Sequence, residues 1–347
     1  MSAYSTTDQA PGRTITIAGQ SFLFFSGYAY LGMSQVPAFT ELVKEGIDRY
    51  GLSFPSSRIS NTRLSLFEEM EQLLSDITGQ EATVCFASGF TAGSQAASLL
   101  PANKQAAPGT HPAVYKGQPV KNSFDAWVQH VVTGLTAHAT APALVADAVN
   151  IFAPCLNDFS FLEQCPVALT ALIDDSHGIG ITGSNGEGVS SRMPPGHTLI
   201  LSYSLSKAFN LVGGAVSCNT EMAERLRRSP EYTAATALSP AFAYAFIKGQ
   251  ALYQQQRKKL QHNIAVFRQL TRTIPEILSV PELPIFVLPA TTNEQRLYEQ
   301  GILISSFAYP DPQGPKIQRV VLNALHTEED LYHLSIALQE ALALSKG

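Results

Sequence analysis

The chain has 347 residues, 45% hydrophobic and 15% charged, with a formal net charge of −5 and no long run of either sign. This is the balance of a globular protein long enough for one large domain or two smaller ones, with ample apolar material for a core. It shows no basic cluster for nucleic acid or an anionic membrane surface, no apolar run of spanning length, and no C-x-x-C pair among its four cysteines, Cys85, Cys155, Cys165 and Cys218, so a metal or disulfide framework is a poor reading. Free thiols and a polar N-terminus without a secretory apolar core lead to the expectation of a soluble cytoplasmic protein.

Residues 1–13 read as a loose arm, and "RTITIAG" and "FLFF" as a small hairpin with "GQ" between them. "PAFTELVKEGIDRYG" has Pro37 near a helix start, and Phe39, Val43, Ile47 and Tyr50 share one face. "LSLFEEMEQLLSDITG" predicts a helix with Leu66, Met70, Leu73 and Ile77 inward and Gly79 as its stop. Strands and helices then alternate. "EATVCF" reads as a strand, "TAGSQAASLL" as a helix, "PAVYK" as a short strand and "SFDAWVQHVV" as a helix. "APALVADAV" follows as a strand, "NDFSFLEQC" as a helix, "VALTALID", "HTLILSYS" and "GAVSCN" as strands, and "EMAERLRR" as a helix. Such alternation predicts an α/β fold with a mostly parallel sheet and helices on both faces. Residues 241–272 read as one long helix, followed by strands at "LPIFVLP", "GILISSF" and "IQRVVLNA" and a closing helix that opens on Thr327. The expected organisation is an N-terminal arm over 1–40, a large domain over 41–240, and a connecting helix with a smaller α/β domain over 241–347.

Three stretches could carry chemistry. In "CFASGFTAG" a strand ends, a Ser88-Gly89 turn follows, and a helix begins whose free N–H groups would suit a phosphate. The plainer reading is an ordinary strand-to-helix turn. In "ALIDDSHGIGITGSNGEG" an apolar strand delivers Asp174 and Asp175 at its end, then His177 and a glycine-rich loop. A carboxylate there could hold a protonated ring nitrogen. It could also be a capping aspartate, and a metal at Asp174 and His177 would lack a third ligand. In "LSYSLSKAFNLVGGAV" Lys207 could form a Schiff base with an aldehyde, or be a surface lysine whose stem packs on apolar neighbours. Taken in order, an anion pocket, an acid with a nearby histidine, and an amine are what pyridoxal phosphate needs.

At this point the sequence resembles a known family, the α-oxoamine synthases within the fold-type I pyridoxal-phosphate transferases. The resemblance runs from about Ile15 to the C-terminus. It rests on "YAYLGM", "DRYGLSFPSSR", "FEEMEQLLSDITGQE", "FASGFTAG", "DDSHGIGITGSNGEG", "SLSKAFNLVGGAV" and "GILISSFAYPDPQGPKIQRVVLNALHTEEDL". It implies pyridoxal 5'-phosphate as cofactor and a catalytic set of Lys207, His111, Asp174 and His177. Lys207 would be the Schiff-base lysine and would remove the substrate's α-proton. Asp174 would pair with the pyridinium nitrogen, His177 would hydrogen-bond the ring's phenolic oxygen, and His111, in "GTHPAVYKG", would stack on the ring. Ser88, the backbone at Gly89 and Phe90, and the Ser204 hydroxyl would hold the phosphate. Thr236 would reach it from the neighbouring subunit of a homodimer. Arg319 would grip the amino acid's carboxylate.

The resemblance further implies an acyltransferase that condenses an amino acid with an acyl-CoA thioester. An aminotransferase or lyase on the same scaffold is the alternative. The chain departs from the family in places. The resemblance leads to the expectation of an additional N-terminal helical segment, against which this chain is shorter, and of a histidine before the family's "LE", which "FEEMEQL" lacks. Tyr28 stands where an asparagine is usual, and Ala153 where a serine is.

Overall fold

A computed structural model describes residues 6–118, 122–135, 143–309 and 313–343. The chain divides into two compact units. One comprises Pro37–Asn150 and Leu156–Ala251, and the other comprises Met1–Val36, Ile151–Cys155 and Leu252–Gly347. Of the loose arm expected over 1–13, residues 1–5 lie outside the described residues.

The larger unit is built on a six-stranded sheet in the order Ala82–Phe86, Gly214–Cys218, Thr198–Ser204, Thr170–Asp174, Ala143–Asp147 and Lys104–Ala106. The last four strands run parallel to one another, and Gly214–Cys218 runs against both its neighbours. Strands covered by helices on both faces read as nearly unbroken apolar runs. Val84, Val145, Leu172, Ile200 and Val216 accordingly join Ala92 and Ala96 in one buried cluster. Parallel strands also put all their C-terminal ends on the same edge. Asp147 and Asp174 are register partners there, with Ser202 beside Asp174 on the next strand.

Helices Pro37–Tyr50 and Pro240–Lys248 pack closely where a Cβ on Gly46 would lie 2.8 Å from the Ala241 backbone. The helix expected over 241–272 is divided into Pro240–Lys248 and Gln250–Leu270. Gly249 between them takes φ −88° and ψ 8°, outside helical geometry. "PAVYK" is a turn, not a strand, and Lys104–Ala106 takes the sheet edge instead. "NDFSFLEQC" yields only the short 3₁₀ segment Ser160–Gln164.

Helix Ser65–Thr78 ends at Gly79 with φ 66°, as its stop signal predicts. Its buried face, however, is Leu66, Phe67, Met70, Glu71, Leu74, Ser75 and Thr78, with Leu73 and Ile77 only half-buried. The helix is turned to bury Glu71, whose Oε1 accepts the Cys85 N–H and Arg58 Nη2, each at 3.0 Å.

The second unit carries a five-stranded sheet in the order Thr14–Ile17, Gln20–Phe25, Ile302–Ala308, Lys316–Val321 and Ile285–Val287. The first two strands form the expected hairpin, pairing Thr14 with Leu23 through Ile17 with Gln20. Its turn is Ala18-Gly19 rather than Gly19-Gln20. Both residues take positive φ, 50° and 80°, which matches the twist of a two-residue hairpin. Ile302–Ala308 then joins Gln20–Phe25 in parallel. The Arg13 guanidinium forks onto Asp330 at 2.6 and 2.7 Å. Asp330 also accepts the Thr327 N–H at 2.8 Å and so completes the cap of helix Glu328–Ala343.

Candidate active site

The strand Thr198–Ser204 leaves the sheet's C-terminal edge into the loop that carries Lys207. Leu205 N–H bonds Gly213 O and Leu211 N–H bonds Leu205 O, each at 3.0 Å. Ser204 N–H donates to Ser176 Oγ at 3.0 Å, which ties this strand to the turn after Asp174. Asp174 is 9% exposed, and its Oδ1 accepts the Ser176 N–H at 3.0 Å. Burial pushes the Lys207 amine down from its ordinary value, while Asp174 and Asp147 pull it back up. A lysine held this way is more often unprotonated at neutral pH, and therefore nucleophilic, than an exposed one.

His111 lies in the turn after Lys104–Ala106. Burial lowers the pKa of its ring, with Asp174 raising it and Lys207 lowering it further. The ring is therefore neutral at pH 7. Its Nδ1 accepts the Ala113 N–H at 3.2 Å, which assigns the ring proton to Nε2. Within the larger unit Asp174 and Lys207 thus act on both His111 and Asp147, while Asp147 meets His111 through that residue's backbone N–H. Asp147 is absent from the sequence-derived set. The one signal for it was a second parallel strand, "ALVAD", that also ends on an aspartate.

The helix Gly89–Ser98 begins beside this edge. Ser88 is its N-cap, taking the Thr91 N–H at 3.1 Å, so the N–H groups of Gly89 and Phe90 at the helix start have no partner inside the helix. A Cβ on Gly89 would lie 2.6 Å from Ser204 Cβ and 2.9 Å from Ser204 Oγ. Only glycine lets the helix N-terminus come this close to the Ser204 hydroxyl. Phe90 itself is 54% exposed. His177 is half-buried in the turn after Asp174. In the same turn Asp175 is fully buried, its Oδ2 accepting the Val189 N–H at 2.8 Å. A Cβ at Gly178 or Gly188 would strike the Asp175 carboxyl at 2.1 or 1.9 Å, so the glycine-rich loop wraps this side chain closely. Burial raises the Asp175 pKa to about 8.

Thr236 is exposed in the loop between helices Pro230–Thr233 and Pro240–Lys248. Arg319 belongs to the second unit, on the strand Lys316–Val321, paired with Ser305 on one side and Val287 on the other. It is 1% exposed, and its Nε and Nη1 have no hydrogen-bond partner. The rings of Tyr28 and Phe152 stand 5.8 Å from its guanidinium carbon and that of Phe307 stands 5.7 Å away. One of the sequence departures, Tyr28, and Phe152, the neighbour of another at Ala153, therefore lie around this guanidinium.

The larger unit's arrangement fits pyridoxal 5'-phosphate. A helix N-terminus and a hydroxyl meet where only glycine fits, and a desolvated amine and a buried carboxylate stand at the same sheet edge. Among the described residues no cluster of metal-ligating side chains competes with that reading.

Residues 166–338 match the family aminotransferase class I and II. The 8-amino-7-oxononanoate synthase of Nitrosomonas eutropha is 28% identical over 357 residues, covering 94% of this chain and 91% of that protein. The synthase of Yersinia enterocolitica is 29% identical, covering 94% and 91%. A bifunctional biotin-biosynthesis protein of Corynebacterium kroppenstedtii is 28% identical, and the chain spans 55% of its length. A serine palmitoyltransferase from S. paucimobilis, solved with PLP and myriocin, superposes with a TM-score of 0.84 at 20% identity, covering 99% of this chain and 93% of that one. The 8-amino-7-oxononanoate synthase of Francisella tularensis gives 0.74 at 22% identity, covering 93% and 98%. The chain carries an aminotransferase class I and II domain on the fold-type I scaffold. Within that class it is a pyridoxal-phosphate-dependent transferase of the α-oxoamine-synthase-like kind.

Proposed function

We propose that the protein condenses a small amino acid with an acyl-CoA thioester, releasing free CoA thiol. The observation that carries this is the half-buried Lys207, on which the carboxyl of Asp174 acts electrostatically, three residues after the Ser204 that packs against the helix N-terminus at Gly89. Pyridoxal 5'-phosphate, when bound, supplies an electron sink for the carbon next to the substrate's carboxylate.

The chain's own residues do the rest. Lys207 anchors the cofactor and moves the α-proton with its amine. Asp174 would hold the proton on the ring nitrogen, and His177 would donate to the phenolic oxygen. The neutral His111 ring stacks on the cofactor face. The N–H groups of Gly89 and Phe90, the Ser88 turn and the Ser204 hydroxyl hold the phosphate. Arg319, buried with two nitrogens unpartnered, supplies a carboxylate partner.

Thr236, exposed on its loop, reaches the phosphate of a second copy, so the working form is a homodimer. The cytoplasm is the proposed compartment: the four cysteines are free, and no described helix is long and apolar enough to cross a membrane.

The test is incubation of the cofactor-loaded protein with amino acids and acyl-CoAs, with thiol release followed by a colour reagent. Release with one combination is the expected result. No thiol from any combination, with amino-group transfer to a keto acid instead, would overturn the condensation in favour of an aminotransferase.

A further inference from the structure

Arg319 is 1% exposed, and its Nε and Nη1 are unpartnered among the described residues. A carboxylate cannot meet those nitrogens until a neighbouring side chain moves. The rings of Tyr28 and Phe152, at 5.8 Å, and of Phe307, at 5.7 Å, surround the guanidinium carbon, and all three belong to the same unit as Arg319. They are held unequally. Tyr28 lies 5.9 Å from the ring of Tyr30, which is fully buried. Phe152 stacks on Tyr309 at 6.3 Å with an interplanar angle of 20°. Phe307 has no such ring partner among the described residues, and it is 46% exposed.

The place of Phe307 follows from the sheet. Across the antiparallel strands Ile302–Ala308 and Lys316–Val321, Ser305 faces Arg319 and Phe307 faces Ile317. Side chains two apart on a strand share a face, and diagonal neighbours across a pair lie about 7–8 Å apart, within reach of long and aromatic side chains. Phe307 is thus the diagonal neighbour of Arg319, one residue from its strand's end. A ring there attracts the cation through the negative face of its π system. An exposed side chain also exchanges rotamers readily.

We propose that Phe307 is the ring that covers Arg319 and turns outward to admit a carboxylate, so that it sets the affinity for that ligand without bonding to it. The guanidinium then exchanges one ring for an anion, while Tyr28 and Phe152 stay in place. Opening costs the cation–π contact, and the ligand's apparent affinity is reduced by the fraction of molecules that are open. Removing the ring therefore tightens carboxylate binding, the reverse of what the loss of an ordinary binding contact does.

The proposal rests on Arg319 as the carboxylate partner in the function proposed above, and its test does not need the cofactor. Phenylglyoxal, a dicarbonyl that reacts with accessible guanidiniums, is applied to the cofactor-free full chain, and labelling of Arg319 is followed by mass spectrometry. Arg296, whose side chain is 44% exposed, is the internal reference. Phe307→Ala is expected to label at Arg319 about 2- to 30-fold faster than the parent, the range that one lost cation–π contact sets. Phe307→Tyr keeps the ring and should label at the parental rate. Acetate, as the carboxylate probe, should protect Arg319 in Phe307→Ala at a concentration lower by about the same factor. Thermal midpoints confirm that both variants fold. Equal labelling of Arg319 in Phe307→Ala and the parent would overturn the proposal. So would protection that needs as much acetate in the variant as in the parent, or more, and so would protection in neither. If the expected effects occur but the parent binds no pyridoxal phosphate, the function proposed above fails and this inference stands.

Discussion

Two arginines are buried, one in each unit, and they are held differently. Arg58 is 4% exposed and places Nη2 3.0 Å from Glu71. Glu71 in turn takes the Cys85 N–H at 3.0 Å and lies 3.7 Å from Arg227. Arg319 is 1% exposed, with Nε and Nη1 unpartnered and three rings around it. Aromatic surroundings do not separate the two, since Arg58 also sits 4.6 Å over Phe67 and 4.8 Å over Tyr232. The carboxylate does. A buried charge with its counter-ion built in belongs to the architecture, and a buried charge left short of one is ready for a ligand's. Lys207 stands between the two patterns: burial lowers its amine, and the carboxyls of Asp174 and Asp147 partly offset that.

The comparison is tested most strongly at the lysine. Lys207→Ala is expected to lower turnover by about 10⁴-fold and to abolish the visible absorbance of bound cofactor, with the folded state retained. Turnover and a cofactor spectrum preserved in that variant would break the comparison at its functional end. The arginines come next. Glu71→Gln leaves Arg58 buried against an uncharged partner and is expected to cost about 3–5 kcal/mol in urea unfolding. Arg319→Met is expected to change stability by less than about 1 kcal/mol. It should instead raise the KM for the amino acid about 10–100-fold, the worth of a charge-assisted hydrogen bond. If both arginines prove equally important to stability, the distinction between them is wrong.

Gly89→Ala sharpens the site's geometry. The added methyl would press on Ser204, so cofactor affinity is expected to fall by about tenfold or more while inorganic phosphate protects the variant less than the parent, by thermal shift.

The smallest effects are in pH dependence, and they have opposite signs in the two units. Asp175 has a folded pKa of about 8, above its unfolded value, so the folded state binds the extra proton. Its contribution is fully present at acid pH and is lost as pH rises toward 8. Asp175→Asn should therefore flatten the decline in stability on that side. The His326 ring is lowered by burial to about 4, with its Nδ1 taking the Asn323 N–H at 3.1 Å and its Nε2 donating to Phe24 O at 3.0 Å. Below about pH 6.5 the unfolded chain takes up a proton that the folded one refuses, so this unit loses stability as pH falls toward 4. Unfolding midpoints across pH 4–8 for Asp175→Asn and His326→Gln would show the two slopes separately.

Much of the larger unit was legible because its signals are local. An apolar run ending in "DD", a Ser-Gly turn before a helix, and a glycine after "SDIT" each act through backbone geometry within a few residues. Two elements misread for instructive reasons. "PAVYK" has strand composition, but its backbone is spent on the turn that gives His111 its place. The face of Ser65–Thr78 followed hydrophobic spacing until Glu71, whose burial is favourable only because Arg58 and the Cys85 N–H arrive from elsewhere in the chain. The N-terminal hairpin read correctly as a hairpin, but its parallel partner, Ile302–Ala308, lies nearly three hundred residues away, beyond the reach of any local pattern.

By itself, the sequence determined the chemistry available: one lysine between a strand end and a glycine turn, acids at the ends of apolar strands, and a helix start suited to phosphate. Tertiary structure decided which of these groups act on one another. Strand order and register put Asp147 beside Asp174, and close packing at Gly89 brought the helix N-terminus to Ser204. Burial then lowered the Lys207 amine and left Arg319 among rings, with Nε and Nη1 unpartnered among the described residues. Desolvation and charge coupling depend on distance through space, and that distance is created only when strands far apart in the chain pair side by side.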